Sequence, residues 1–163
     1  ELWTSEFQTI AMKNGFDCVA LAMPGGIKFR NKLIHKIDIP IDPLEWYGII
    51  KYSSAYIGEK MHPVIVSLHN TVPFFSFDHY GILRFRFFLE QRSSKIYQIL
   101  QKAGIQDNRI SIRNKITYRT PSPLSVFKKI DFFDREHCSD FAGRMTGEYK
   151  LMMERLLNSL KPH

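Results

Sequence analysis

The sequence predicts an α/β domain in three layers, with a mostly parallel sheet between helices and a long C-terminal helix. Three observations lead there. Apolar runs of strand length fall near 17–23, 55–59 and 73–78 with little alternation, as in strands buried on both faces. Segments with apolar residues at helical spacing lie between them, several with clear start and stop signals. The linkers are mostly short turns. Strands that alternate with helices in this way build parallel sheets through right-handed crossovers. The expected architecture is a Rossmann-like, doubly wound single domain over 1–163.

Each element has its own warrant. Trp3 to Asn14 reads as a helix stopped by Gly15. Asp17 to Met23 reads as a buried strand, closed by Pro24-Gly25-Gly26, with Cys18 as a small core residue. Leu33, His35, Ile37 and Ile39 share one parity, which suggests a strand over 34–39. Asp42-Pro43-Leu44-Glu45 is a strong helix start: Asp at the N-cap, Pro at the first position and Glu at the third. Leu44, Tyr47 and Ile50 then follow at helical spacing towards Ser54. A strand over Ala55–Glu59, a helix over Pro63–Asn70 and a strand over Pro73–Asp78 come next. The β-branched run Val64-Ile65-Val66 also fits a strand.

Leu83 to Gln91 is basic and aromatic, and fits a strand, a helix or an ordered loop. Ser94 to Ala103 reads as a helix closed by Gly104, and Asp107–Ile112 as a short strand. Pro121-Ser-Pro-Leu124 opens a helix to about Phe133. A long helix runs from about Ser139 to Leu160. Phe141, Met145, Tyr149, Met152, Met153, Leu156, Leu157 and Leu160 mark its expected buried face.

Composition bounds function. Of 163 residues, 44% are apolar and 13% aromatic, enough for one real core. The net charge of +7 favours anionic partners. The basic residues are dispersed and carry no nucleic-acid motif, so a small anionic ligand or an anionic membrane surface fits better than nucleic acid. No run is long enough to span a bilayer. Two distant cysteines, with no zinc spacing, suggest a reducing compartment. The chain begins at Glu1, which suggests an excised piece of a longer protein.

The turn after the strand at 55–59 is the most informative stretch. Glu59, Lys60 and His62 gather an acid, a cation and an imidazole between apolar elements. In α/β proteins, ligands bind at the carboxyl ends of strands. Pro63 fits the first helical position, which places His62 at the N-cap. The first-turn N–H groups behind it, around Val64 and Ile65, then face an anion. Gly25-Gly26 ends another strand, but reads more simply as a turn than as a phosphate loop.

The segment from Asp42 to Arg109 resembles the polysaccharide pyruvyl transferase family. Its features are the capped helix at Asp42, the Ala55-Tyr-Ile-Gly58 strand, the Lys60-Met61-His62 turn and the Val72-Pro-Phe-Phe-Ser76 strand. Ser94-Lys95-Ile-Tyr-Gln-Ile-Leu100 through Gly104-Ile105 adds the following helix. The resemblance covers roughly 70 residues well. The family often has Arg, or a Ser-Phe pair, before the His, whereas this chain has Lys60-Met61. Lysine supplies charge without a bidentate fork.

The resemblance implies the C-terminal, donor-binding half of a two-Rossmann, GT-B-like transferase, with an acceptor half on the N-terminal side. It implies phosphoenolpyruvate as donor substrate; no cofactor is expected, and no metal cluster is apparent in the sequence, so metal dependence is not required. The acceptor would be a glycan or lipid-linked sugar of a bacterial surface polysaccharide. The location would be cytoplasmic, at or near the inner membrane face. In that reading His62 and Glu59 are the candidate catalytic residues. Lys60, Val64, Ile65 and Lys95 are the candidate substrate-binding residues. Two rival readings remain: a nucleotide-sugar glycosyltransferase half, for which no Glu-x6-Glu pattern appears, and a non-catalytic anion-binding module.

Overall fold

The structure, a computed structural model, describes residues 2–21, 35–37, 40–85, 88–113 and 120–160. The fold is α/β, with parallel sheets and a long C-terminal helix. Strands β1 (Val19–Leu21) and β2 (His35–Ile37) pair in parallel. Strands β3 (Tyr56–Gly58), β4 (Phe74–Asp78) and β7 (Arg109–Ser111) form a parallel sheet in the order β3-β4-β7. Strands β5 (Ile82–Arg84) and β6 (Phe88–Glu90) pair antiparallel. In the open segment at 83–91, Leu83, Arg84 and Phe88–Glu90 are thus strand and a 3-10 turn begins at Gln91; residues 86–87 lie outside the described residues.

The helices are α1 (Leu2–Lys13), α2 (Pro43–Lys51), α3 (Met61–His69), α4 (Lys95–Ala103), α5 (Pro123–Asp131) and α6 (Arg135–Ser159). Their caps follow the sequence. Asp42 accepts from the Leu44 N–H, Ser94 from the Tyr97 N–H and Ser122 from the Ser125 N–H. Gly15 and Gly104 take the left-handed conformation that stops α1 and α4.

The pleat assigns the layers. Phe74 points to one face of the sheet, where Val64 and Leu68 of α3, Ile96 and Leu100 of α4, and Cys138 and Phe141 of α6 enclose it. Phe77 points to the other face and meets the Trp3 ring edge-on, with centroids 5.3 Å apart. Helices α1 and α5 pack together on that side, and α5 also meets β4. The Trp3 indole N–H donates to the Pro121 carbonyl at 2.7 Å and closes this layer.

Several expectations need correction. Helix α3 starts two residues before Pro63, so Lys60 is the N-cap and Pro63 is the third helical residue. The missing N–H of Pro63 still costs nothing in the first turn. The β-branched run Val64-Ile65-Val66 is helical, because Val64 and Leu68, four residues apart, both reach the core. Strand β1 is not buried on both faces: Ala20 is buried, but Val19 is exposed and Cys18 is half-buried just before the strand. Residues 22–34, including Gly25-Gly26, lie outside the described residues.

The last correction concerns α6. It begins at Arg135, capped by Asp134, four residues earlier than expected. Cys138 and Phe141 are buried and Met145 packs on the core. The same stripe then emerges from the fold. Tyr149, Met152, Leu156, Leu157 and Leu160 are each at least half exposed. The 3.6-residue period identified the apolar face correctly, but this domain covers only its first turns.

Candidate active site at the carboxyl edge of the sheet

Strands β3, β4 and β7 run parallel, so Glu59, His79 and Ile112 follow their carboxyl ends on one edge. The Ile112 N–H donates to the Asp78 carbonyl at 2.8 Å and carries the pairing to that edge. A cavity of about 1060 Å³ runs along the sheet from Ser54 and Pro73, at the amino ends of β3 and β4, to Glu59; Val19–Leu21 of β1, Phe7, Phe77 and Phe127 line it, whereas Lys60, His62 and Lys95 do not. Glu59 is the carboxylate at its β3 end. A crevice beside strand ends is where α/β sheets take their ligands.

Tyr56 and Gly58 project from the same face of β3. A Cβ at Gly58 would overlap the Tyr56 hydroxyl and its ring carbon. Glycine therefore lets the phenol lie over the strand end, towards the Lys60 backbone. Burial pushes the Tyr56 hydroxyl up to about 12; the Lys60 backbone hydrogen bond opposes the rise, and the charges of Glu59 and Tyr80 add to it. The folded value lies above the ordinary phenol value of about 10, so the neutral phenol stabilises the fold. This contribution is complete below pH 10 and disappears as pH rises towards 12. We expect it to be on the order of 2 kcal/mol. Urea unfolding from pH 9 to pH 12 should show that loss in the wild type, and a smaller one in Tyr56→Phe. Equal alkaline losses in both proteins would refute the assignment. The fully buried Cys138 thiol, pushed up to about 11 by burial and then by Asp134, acts in the same sense in both.

The proposed site residues are distributed as follows. Glu59 and Lys60 are half-buried at the end of β3, and His62 is exposed at the second position of α3. His62 makes no hydrogen bond or ion pair with a described residue. Val64 is a core side chain, only 1% exposed, and Ile65 is exposed. By position their N–H groups belong to the helix ladder, so the outward donors of this turn are those of Met61 and His62. Lys95 is exposed at the first position of α4, and no hydrogen bond or ion pair links it to Glu59, Lys60 or His62. Glu59 faces His79, not His62: its Oε2 lies 3.8 Å from His79 Nδ1.

The sequence reading missed the network behind His79. Asp78 is fully buried, and both of its oxygens are engaged. Oδ1 accepts the Tyr80 N–H at 2.8 Å; Oδ2 accepts from the Ser94 hydroxyl and from Arg109 Nε. The Arg109 guanidinium is almost fully buried and lies over the Tyr97 ring, 5.0 Å from its centroid. One carboxylate thus ties the end of β4 to β7 and to the cap of α4. The available signal was an Asp ending a buried strand, a place where a lone carboxylate must have partners.

Among the described residues, no three His, Cys, Asp or Glu side chains gather as a metal site requires. No helix among them is long and apolar enough to cross a membrane. Neither a curated protein nor a solved structure matches the chain. Residues 4–80 match the model of the polysaccharide pyruvyl transferase family, a family of transferases. The matched stretch is a little under half of the chain. It runs from α1 through the Glu59–His62 turn to Tyr80, and stops before the Ser94–Ile105 segment of the sequence resemblance. From Thr4 to Tyr80 the chain carries the polysaccharide pyruvyl transferase pattern, and this match supports the family that its sequence resembles.

Proposed function

We propose that this chain is the donor-binding part of a polysaccharide pyruvyl transferase, which moves pyruvate from phosphoenolpyruvate onto a sugar of a bacterial surface polysaccharide as a ketal. One observation carries the reading: the family match includes the turn at which Glu59, Lys60 and His62 leave the carboxyl end of a parallel strand. The acceptor, a glycan or lipid-linked sugar, would meet the donor against a further domain at the cytoplasmic face of the membrane.

The chemistry suits these groups. The donor has a carboxylate and a phosphate, and its site must offer cations and N–H donors. Lys60, the N-cap residue of α3, supplies a charge where the helix dipole also favours an anion. Transfer protonates the enol carbon C3, and a sugar hydroxyl attacks C2 and releases its proton. The C2–O bond then breaks, with its electron pair leaving on phosphate. A second hydroxyl closes the ketal. His62, exposed at the same helix end, is placed to carry the proton for C3. Lys95 is a second cation for the phosphate.

Binding is the direct readout for this chain, because the acceptor wall of such a cleft would come from elsewhere. Calorimetric titration should show phosphoenolpyruvate binding in preference to nucleotide-sugars. Lys60→Ala should weaken that binding by about 1.5–3 kcal/mol, the worth of one charge-assisted hydrogen bond, with an unchanged thermal melt. Preference for a nucleotide-sugar would move the reading to a glycosyltransferase half. Identical donor affinity in Lys60→Ala would remove Lys60 from the pocket.

A further inference from the structure

His79 has a surrounding that His62 lacks. It follows the carboxyl end of β4, next to the end of β3, where Glu59 Oε2 lies 3.8 Å from its Nδ1. The side chain is 37% exposed, yet Nδ1 itself is shielded from solvent and has no hydrogen-bond partner. Nδ1 therefore contributes none of that exposure. The ring is also held in place. The Tyr80 ring lies against it, tilted by 30° with centroids 4.2 Å apart, and the Tyr80 N–H is tied to Asp78, whose other oxygen is anchored by Ser94 and Arg109. Glu59 lines the cavity, and His79 stands behind it, outside the lining.

We propose that His79, backed by Glu59, is a second proton-carrying residue of the donor pocket, with Nε2 directed at the phosphate of the donor. A carboxylate behind one ring nitrogen fixes the tautomer and stabilises the imidazolium, while the other nitrogen does the chemistry. The 3.8 Å separation is long for a hydrogen bond. Such contacts tighten when a ligand completes the site. Resting on the phosphoenolpyruvate reading, the role balances as follows. When the C2–O bond breaks, its electron pair goes to the phosphate oxygen, and the Nε2 proton of the His79 imidazolium follows it. Nε2 then takes the proton of the second attacking hydroxyl and is restored. The proton of the first hydroxyl replaces the one delivered to C3.

The test uses the whole 163-residue chain, labelled with 15N. Long-range nitrogen–proton spectra of the neutral imidazoles should show His79 with its proton on Nδ1, and Glu59→Gln should shift that tautomer balance. Phosphoenolpyruvate should move the His79 Nε2 resonance, and His79→Gln should weaken its binding by about tenfold or more. A thermal melt checks that the variant folds. Phosphoenolpyruvate binding that leaves His79 unmoved and is equal in His79→Gln would overturn the proposal while keeping the donor reading. If phosphoenolpyruvate fails to bind but inorganic phosphate moves Nε2, the pocket assignment stands and the donor reading falls. If neither ligand moves the resonance, His79 has no part in the site.

Discussion

Asp78→Ala should destabilise the domain by about 3–5 kcal/mol, the cost of leaving one member of a buried ion pair without the other. The Arg109 guanidinium would remain in the interior without its carboxylate, and the Ser94 hydroxyl and Tyr80 N–H would each lose an acceptor. A domain of this size holds about 5–15 kcal/mol in total, so the variant should sit near the edge of folding. Its melting temperature should drop by about 6–20 °C, at 2–4 °C per kcal/mol. Asp78→Asn keeps an oxygen for Tyr80 and should lose less. Arg109→Met alone strands the carboxylate, whereas the double variant Asp78→Asn, Arg109→Met removes both charges and should recover part of the loss. A double-mutant cycle read by urea unfolding measures that coupling. Additive single effects would show that the pair is not a unit.

In the polysaccharide pyruvyl transferase reading, His62→Ala should reduce turnover of the complete enzyme by about 10²–10⁴-fold, the usual worth of a positioned general acid. The fold should be indifferent to this change. His62 is exposed, lies in the first turn of α3 and makes no hydrogen bond or ion pair with a described residue. The thermal melt should therefore match the wild type while kcat falls. Donor affinity should change little, since Lys60 and the helix end supply the charge. A fall in the melt with normal turnover would make His62 a structural residue. A large rise in KM with normal kcat would make it a binding residue instead.

The order of elements was legible because its signals are local. Asp42-Pro43, Ser94 and Gly104 mark helix ends through the cap geometry those residues adopt, and the structure places each at such an end. The Glu59–His62 turn was legible for the same reason: it falls between a strand and a helix adjacent in sequence. The start of α3 was not legible to the residue, since Pro63 is tolerated anywhere in the first turn. The Asp78 network was invisible because Ser94 and Arg109 lie 16 and 31 positions away; Arg109 comes to it through the pairing of β4 with β7, and Ser94 from the cap of α4. Glu59 and His79 likewise meet only because β3 and β4 are parallel neighbours. For α6, periodicity says which face is apolar; only the packing of α3 and α4 says how far along the helix that face is covered.

Helix α6 consequently has two regimes along one axis. At 1.5 Å per residue its 25 residues extend about 37 Å. The Asp134 cap and the packed segment from Cys138 to Met145 act as a permanent nucleus, so the costly first turn of helix formation is already in place. Every turn beyond Met145 is then added by propagation, where Met, Leu, Glu and Lys each fall close to balance between helix and coil. The far end is thus an exposed extension of a packed root. Ordering it against any surface would require little beyond what the root has already supplied.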